Sequence, residues 1–527
     1  MGIPSYFSYL VKNHPEVLLK WEEETRYIDN LYLDSNSIVY DAVYRLSSEK
    51  KEPLTHNEIY RAVCVKIEEY IQVISPRVRV LIALDGVAPV AKLEQQRARR
   101  YKSAYQARIL ATSASASAAT SATVWNTAAI TPGTPFMKGL TAHLRQHFQN
   151  GTKVIVSGSD EPGEGEHKIC HYMRDHSLEH RDQTTVIYGL DADLIMLAMT
   201  HLHVCPQTFL FRESPHFIQN INKDLDPNAH YLLDIPALSE TILKSSGKTP
   251  EEYILLCFFL GNDFLPHFPA ANIRTGGIDK LLEASQGIGA LCNTKGEIQW
   301  DAIRMLVQIM AMNEEFFIQE EHKLRDRRGR PPNQKNPKKE EDVAKTFELL
   351  PSYERSLEKI INPFRAGWRD RYYQVLFDSS TSTPSVCKNY LEGLQWVFTY
   401  YTTGVKDWRW KYHYSYPPLF GDLLKYMEQT MPHCAPGVKS PDEGGGSGPI
   451  SETTQLLYVL PKASMVEFLP RELTDRMLAE HPEWWSTTAT TSDTKSEFLW
   501  AYCKYFWESH VLLPNMDDLL LMDQPTL

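Results

Sequence analysis

Between residues 27 and about 290, short apolar runs rich in β-branched residues alternate with longer stretches of helical periodicity. No other feature of the chain narrows its fold as much. "YIDNLYLD" (27–34), "RVRVLIALD" (77–85), "KVIVSG" (153–158) and "TTVIYGLD" (184–191) read as strands. Between the first two lies "THNEIYRAVCVKIEEYIQVI" (55–74), a helix that Thr55 is placed to cap and Glu58 to close as a capping box. Strand–helix–strand repetition predicts βαβ units and a mostly parallel sheet with helices on its faces.

Acids stand at the downstream ends of these segments: Asp34 in "LYLDSN", Asp85 in "LIALDG", Asp191 and Asp193 in "GLDADLIML", Asp263 in "FFLGNDFLPH". "SDEPGEGEHK" (159–168), just beyond "VIV", adds Glu164 and Glu166. On one regular helix, positions i and i+2 point about 200° apart, so these two carboxylates converge only if the backbone turns between them. Pro162 and Gly163 are read as that turn and Gly165 as a point of close backbone approach, with Glu166 alone belonging to the following helix. In an open parallel sheet, ligands bind beyond the carboxyl ends of the strands, where the fold gathers residues from separate segments. A single Asp after a strand is most simply a helix cap, and Asp34 alone would be read so. Seven such acids, two pairs of them spaced acid-x-acid, point instead to one crevice whose repulsion is relieved by cations. An all-oxygen donor set without a Cys or His cluster suits Mg²⁺ or Mn²⁺, and two such ions are the arrangement that hydrolyses phosphodiesters.

Directly after Asp85 comes "DGVAPVAKLEQQRARRYKSAYQAR". Lys92, Gln96, Arg99 and Arg100 share one helical face, and six Lys/Arg between 92 and 108 meet one acid, Glu94. A merely solvated face would intersperse acids for pairing. A cationic face beside an anionic metal site suits a substrate held by a terminal phosphate.

The rest of the composition mainly excludes. The net charge of −11 does not point to nucleic acid, so local clusters must decide. The 8 cysteines form no CxxC pair, which argues against a disulfide framework or zinc module and for a reducing compartment. No apolar run is long enough to span a membrane, and "MGIPSY" is neither a signal peptide nor a myristoylation signal. An intracellular, monomeric protein is expected, in the cytoplasm rather than the nucleus. "ATSASASAATSATV" (111–124), "KLRDRRGRPPNQKNPKKEED" (323–342) and "CAPGVKSPDEGGGSGP" (434–449) read as loops or linkers, "RGRPP" included. The stretch 343–433 reads as helical, with "YLEGLQWVFTYYTTG" its clearest amphipathic piece, and Tyr412, Tyr414 and Tyr416 as packing residues. His167 and Lys168 read as a helix start as readily as phosphate contacts.

Taken together, "MGIPSYFSYL", "LYLDSNSIVY", "ALDGVAPVAKLEQQRARR", "ITPGTPFM", "SDEPGEGEHKI", "YGLDADLIMLAM", "LLCFFLGNDFLPH", "GGIDKLLE", "YLEGLQWVFTYYTTGVKDWRWKYHYSYPPLFGDL" and "QLLYVLPKASMVEFLP" resemble, in order, the XRN family of 5′→3′ exoribonucleases. The resemblance implies processive hydrolysis of single-stranded RNA from a 5′-monophosphate end to 5′-mononucleotides. It assigns Asp34, Asp85, Glu164, Glu166, Asp191, Asp193 and Asp263 to two Mg²⁺ or Mn²⁺ ions. It assigns Lys92, Gln96, Arg99 and Arg100 to a 5′-phosphate pocket too small for a cap or triphosphate. Base stacking falls to Trp408 or Trp410, with Trp410 favoured, and to Tyr40, which stands where the family has His. It further implies a compact member, without the long C-terminal region of the cytoplasmic relatives.

The expected fold class is α/β: a mostly parallel central sheet flanked by helices, a PIN/FEN-like nuclease core, with an additional largely helical, aromatic-rich region. The expected division is a catalytic domain (1–290, with 111–124 inserted), a helix and basic linker (291–342), a helical second region (343–433), a flexible linker (434–450) and a C-terminal segment packed on the core (451–527). Two rival functions are a flap-type DNA nuclease, which leaves the aromatic 390–423 region without a purpose, and a catalytically silent RNA-binding scaffold, which leaves the seven acids without one.

Overall fold

The core strands carry apolar side chains on both faces because both faces of the sheet are covered, as parallel sheets require. In Asn30–Asp34, residues Leu31, Tyr32 and Leu33 are all fully buried. Successive side chains alternate between two cores: Tyr32 enters one, while Leu31 and Leu33 enter the other. The computed structural model of the protein describes residues 2–21, 27–50, 52–113, 125–149, 153–213, 222–223, 225–226, 229–293, 296–328, 340–430, 448–485 and 497–523.

Seven strands form the main sheet: β1 (Leu18–Lys20), β2 (Asn30–Asp34), β3 (Arg79–Ala83), β4 (Val154–Ser157), β5 (Thr184–Tyr188), β6 (Gln207–Glu213) and β7 (His230–Asp234), in the order β1-β7-β6-β5-β2-β3-β4. β4, β3, β2, β5 and β6 run parallel, and β7 and β1 add an antiparallel edge. The four strands read from the sequence are β2 to β5. β1, β6 and β7 were not read there.

The helix His56–Ile74 begins as expected, with Thr55 and Glu58 forming the reciprocal capping box. Elsewhere the structure corrects the sequence reading. Asp263 does not follow a strand: it comes after the helix Pro250–Cys257 and the tight helical turn Phe258–Leu260. The helix Trp300–Arg328 runs straight through the first six residues of the supposed basic linker. The helix Thr383–Thr402 is amphipathic as expected but deeply seated: Val386, Tyr390, Leu394, Trp396, Val397, Phe398, Tyr400 and Tyr401 are buried, and Ser385, Lys388, Glu392, Gln395, Thr399 and Thr402 form a less buried polar stripe. Tyr412 and Tyr416 pack beneath it, Tyr412 donating to the Tyr416 carbonyl.

Segment 451–523 returns to the first half of the chain. Leu456, Leu457, Tyr458 and Leu460 enclose Val87, Val90 and Leu93 at the start of the basic helix, which spans Val90–Ser113. Segments 114–124, 329–339 and 434–447 lie outside the described residues. Among those described, seven cysteines are free and buried, and no helix is long and apolar enough to cross a membrane.

Candidate active site

Four neighbouring parallel strands, in the spatial order β5-β2-β3-β4, end side by side, and each delivers acid to the same edge. β2 ends on Asp34; Asp85 stands two residues beyond β3; Asp191 and Asp193 follow β5. Beyond β4 the chain turns through Gly163, at φ +99, and Glu164 caps the helix Gly165–Asp175, which holds Glu166 in its first turn. The two glutamates thus sit on either side of a corner, as the sequence suggested. Gly165 is required there: a Cβ would come within 2.5 Å of Asp34 Oδ1, while its N–H donates to Asp85 Oδ1 at 2.7 Å. Asn36 Nδ2 holds the other Asp85 oxygen at 2.6 Å.

Lys92 is the cation inside this cluster. Its Nζ lies 2.8 Å from Glu164 Oε2 and 2.9 Å from Asp263 Oδ2. Burial alone would lower its pKa, but Asp263 and Glu164 override that and hold it well above the usual lysine value. Burial likewise raises Asp263, and Lys92 reverses the shift. Asp34, Glu166 and Asp193 shift the other way. Burial, with Asp85 and Asp191 close by, pushes Asp34 well up; burial and Asp193 do the same to Glu166; burial and Asp263 raise Asp193 to about 7.

Glu166 Oε2 and Asp193 Oδ1 are buried with no hydrogen-bond partner among the described residues. Orphaned, mutually repelling carboxylate oxygens fit hard divalent cations. One nitrogen joins the oxygens: His167 lies within 4.8 Å of Glu164 and Glu166 and is kept neutral by burial. The sequence reading gives His167 no metal role. Lys168 instead braces the corner, donating to the carbonyls of Leu84 (2.8 Å) and Gly158 (2.6 Å).

The basic helix divides its cations by role. Arg97 and Lys102, which lie off the face of Lys92, Gln96, Arg99 and Arg100, are anchors: Arg97 donates to the carbonyl of Pro514, and Lys102 to those of Trp507 and Ser509. Gln96 is buried, and Arg99 is exposed. Arg100 Nη1 is buried without a partner among the described residues; burial lowers its pKa to about 10, against the opposing pull of Tyr40. Tyr40 is 37% exposed. A cavity of about 700 Å³ opens beside Asp263, walled by Arg99, Lys102, Asn262, His267 and Trp507.

The two tryptophans differ. Trp410 stacks on Trp396 (5.0 Å, 25°) and against Gly393, which has no room for a Cβ. Trp408 makes no ring contact among the described residues, and its carbonyl receives the N–H of Val90 at the start of the basic helix.

Two residues of this site escaped the sequence reading. Gly2 N–H donates to Asp263 Oδ1 at 3.1 Å. Tyr400, 236 residues from Glu164, donates its hydroxyl to Glu164 Oε1, with its ring 3.7 Å from His167 and 4.9 Å from Trp396. Nothing local marks Tyr400, since a tyrosine in an apolar helix reads as core.

Carboxylates gathered from adjacent strand ends, with a lysine among them and a basic helix rising from the same edge, define a phosphodiester-cleaving nuclease. Residues 1–214 match the XRN 5′-3′ exonuclease N-terminus, and residues 248–360 and 352–526 match the Xrn1 helical domain. The chain belongs to the XRN family of 5′-3′ exonucleases. It is 26% identical to the "5'-3' exoribonuclease 2 homolog" of Drosophila melanogaster, over 98% of this chain and 70% of that protein. The "5'-3' exoribonuclease 1" of Schizosaccharomyces pombe is also 26% identical, over 99% of this chain, which spans 48% of that protein's length. Among solved structures, the catalytic core of Rad2 in complex with DNA substrate aligns at 13% identity and a TM-score of 0.35, covering 82% of this chain and 96% of its own.

Proposed function

We propose that this chain degrades RNA processively from a 5′-monophosphate end, in the 5′→3′ direction, releasing 5′-mononucleotides. The observation that carries the reading is the convergence of Asp34, Asp85, Glu164, Glu166, Asp191, Asp193 and Asp263 around Lys92, where the basic helix begins. These acids would hold two Mg²⁺ or Mn²⁺ ions, which when bound supply an activated hydroxide and neutralise charge on the scissile phosphate.

The chain's own residues do the rest. Arg100 and Arg99, with Gln96, receive the terminal phosphate and so set polarity, because a 5′-hydroxyl offers them no charge. Lys92 keeps Asp263 ionised and orients both Asp263 and Glu164. Asn36 and the Gly165 N–H fix Asp85, and Tyr400 fixes Glu164. Half-buried Trp408 and exposed Tyr40 would offer ring faces on which bases stack without sequence preference.

The test presents matched RNAs bearing 5′-phosphate, 5′-hydroxyl or a cap, and a flap DNA, with Mg²⁺. Rapid mononucleotide release from the 5′-phosphate RNA alone is expected; equal rates on all RNAs, or preference for the flap, would overturn the reading. Asp191→Ala should lower turnover at least about a hundredfold while leaving RNA binding within a few-fold.

A further inference from the structure

A second group of metal-ligating side chains lies on a different part of the molecule. Cys64 belongs to the helix His56–Ile74, and His143 and His147 to the helix Pro135–His147. One ligating atom from each of the three lies within 4.8 Å of the others. A fourth group stands beside the set: Glu68 Oε1 lies 2.8 Å from His147 Nε2. Cys64 and Glu68 are one turn apart on their helix, and His143 and His147 one turn apart on theirs. Each helix therefore presents an i, i+4 pair to the other.

We infer that Cys64, Glu68, His143 and His147 form a structural zinc site that ties these two helices together. The donor chemistry selects the ion, because one thiolate, two imidazoles and one carboxylate suit Zn²⁺, whereas the all-carboxylate catalytic edge suits Mg²⁺ or Mn²⁺. Tetrahedral zinc, with bonds of about 2.0–2.3 Å, sets its ligands about 3.3–3.7 Å apart, within reach of small side-chain rotations from the observed spacing.

A surface ion pair between His147 and Glu68 would account for those two residues alone. It would not account for the buried thiol of Cys64, 1% exposed, meeting the same point. Nor would it account for two imidazoles held 6.3 Å apart and nearly parallel. Burial, His147 and Arg61 all disfavour the charged form of His143, leaving the neutral ring that ligates. Burial and Glu68 keep the uncoordinated Cys64 thiol protonated, so zinc takes the thiolate and releases one proton to solvent.

The position gives the clip a purpose. The helix bearing Cys64 leads into β3 and Asp85, and the helix bearing the histidines leads into β4, Glu164 and Glu166. Zinc would fix the relative placement of two strands that carry the catalytic acids, without touching substrate.

The experiment measures zinc by mass spectrometry in the full chain purified without chelator, beside Cys64→Ser, His147→Gln and Asp193→Asn. One zinc per chain is expected in the parent and in Asp193→Asn, and none in the other two. After chelation, Zn²⁺ but not Mg²⁺ should restore the parent melting temperature by several degrees, with no such rise in Cys64→Ser. Cobalt substitution should give the parent a thiolate-to-metal absorption band that Cys64→Ser lacks. Absence of zinc and of a zinc-dependent rise in the parent, or zinc lost in Asp193→Asn and kept in Cys64→Ser, would overturn the assignment. His147 is exposed, so His147→Gln is expected to fold and tests the site without disturbing the core.

Discussion

Lys92 Nζ lies 2.8 Å from Glu164 Oε2, so a residue of the basic helix is built into the acid cluster it borders. The same nitrogen reaches Asp263 at 2.9 Å, and all three groups are buried. Removing one partner of a buried ion pair costs about 3–5 kcal/mol, because the other charge is left uncompensated. Lys92→Ala should therefore lower stability on that scale in metal-free buffer. Saturating Mg²⁺ should recover much of the loss, since it supplies the missing positive charge. Melting curves with and without Mg²⁺ check both.

Trp408 and Trp410 should separate binding from folding. Trp408 has no ring neighbour among the described residues, so Trp408→Ala is expected to weaken single-stranded RNA binding by about 1–3 kcal/mol and leave the melting temperature nearly unchanged. Trp410 is wedged on Trp396 and Gly393, so Trp410→Ala should destabilise the fold by about 3–5 kcal/mol. Fluorescence anisotropy and thermal denaturation of the two variants give the comparison.

Glu358 holds the second half of the chain together. It receives Arg325 at 2.7 Å and Arg355 at 2.6 Å, as well as the N–H of Tyr502, and is 1% exposed. Burial raises its pKa, but the two arginines override burial and hold it low. Glu358→Ala strands two guanidinium groups and should cost about 3–5 kcal/mol, read as a shifted urea midpoint.

Glu314 predicts a pH dependence of stability. Burial raises its pKa to about 7, although it accepts the N–H groups of Phe420 and Gly421. Between its ordinary value of 4.5 and about 7, the folded chain holds a proton that the unfolded chain has released. Its contribution to stability therefore falls as pH rises through that window. Glu314→Gln, which does not titrate, should gain on the parent progressively from pH 4.5 to 8, by up to about 3 kcal/mol. Denaturation of both proteins across that range measures the gap, and equal slopes would refute the shift.

The strands β2 to β5 and six of the seven acids were legible locally, because short apolar β-branched runs and the acids just beyond them leave their pattern in adjacent residues. Asp263 was legible as a residue but misread in context: "LLCFFLGNDF" is apolar in the way a buried strand is, and only length and tertiary packing made it a helix and a turn. The anchoring roles of Arg97 and Lys102 were not legible, because a positive charge on a helix gives no sign of which distant backbone carbonyl it will meet.

By itself, then, the sequence determined the parallel sheet, the capped helix at Thr55, the turn at Gly163 and the chemical class of the acids. Each of these leaves a pattern within a few adjacent residues, even where, as in the sheet, the pairing itself is long-range. The tertiary structure decided which groups meet: Lys92 with Asp263, Tyr400 with Glu164, Cys64 with His143. Those pairs are 79 to 236 residues apart in the chain, and no periodicity or spacing records them. They exist because the sheet edge and the helices packed on it bring distant segments to within bonding distance, where Coulombic attraction and hydrogen bonding act.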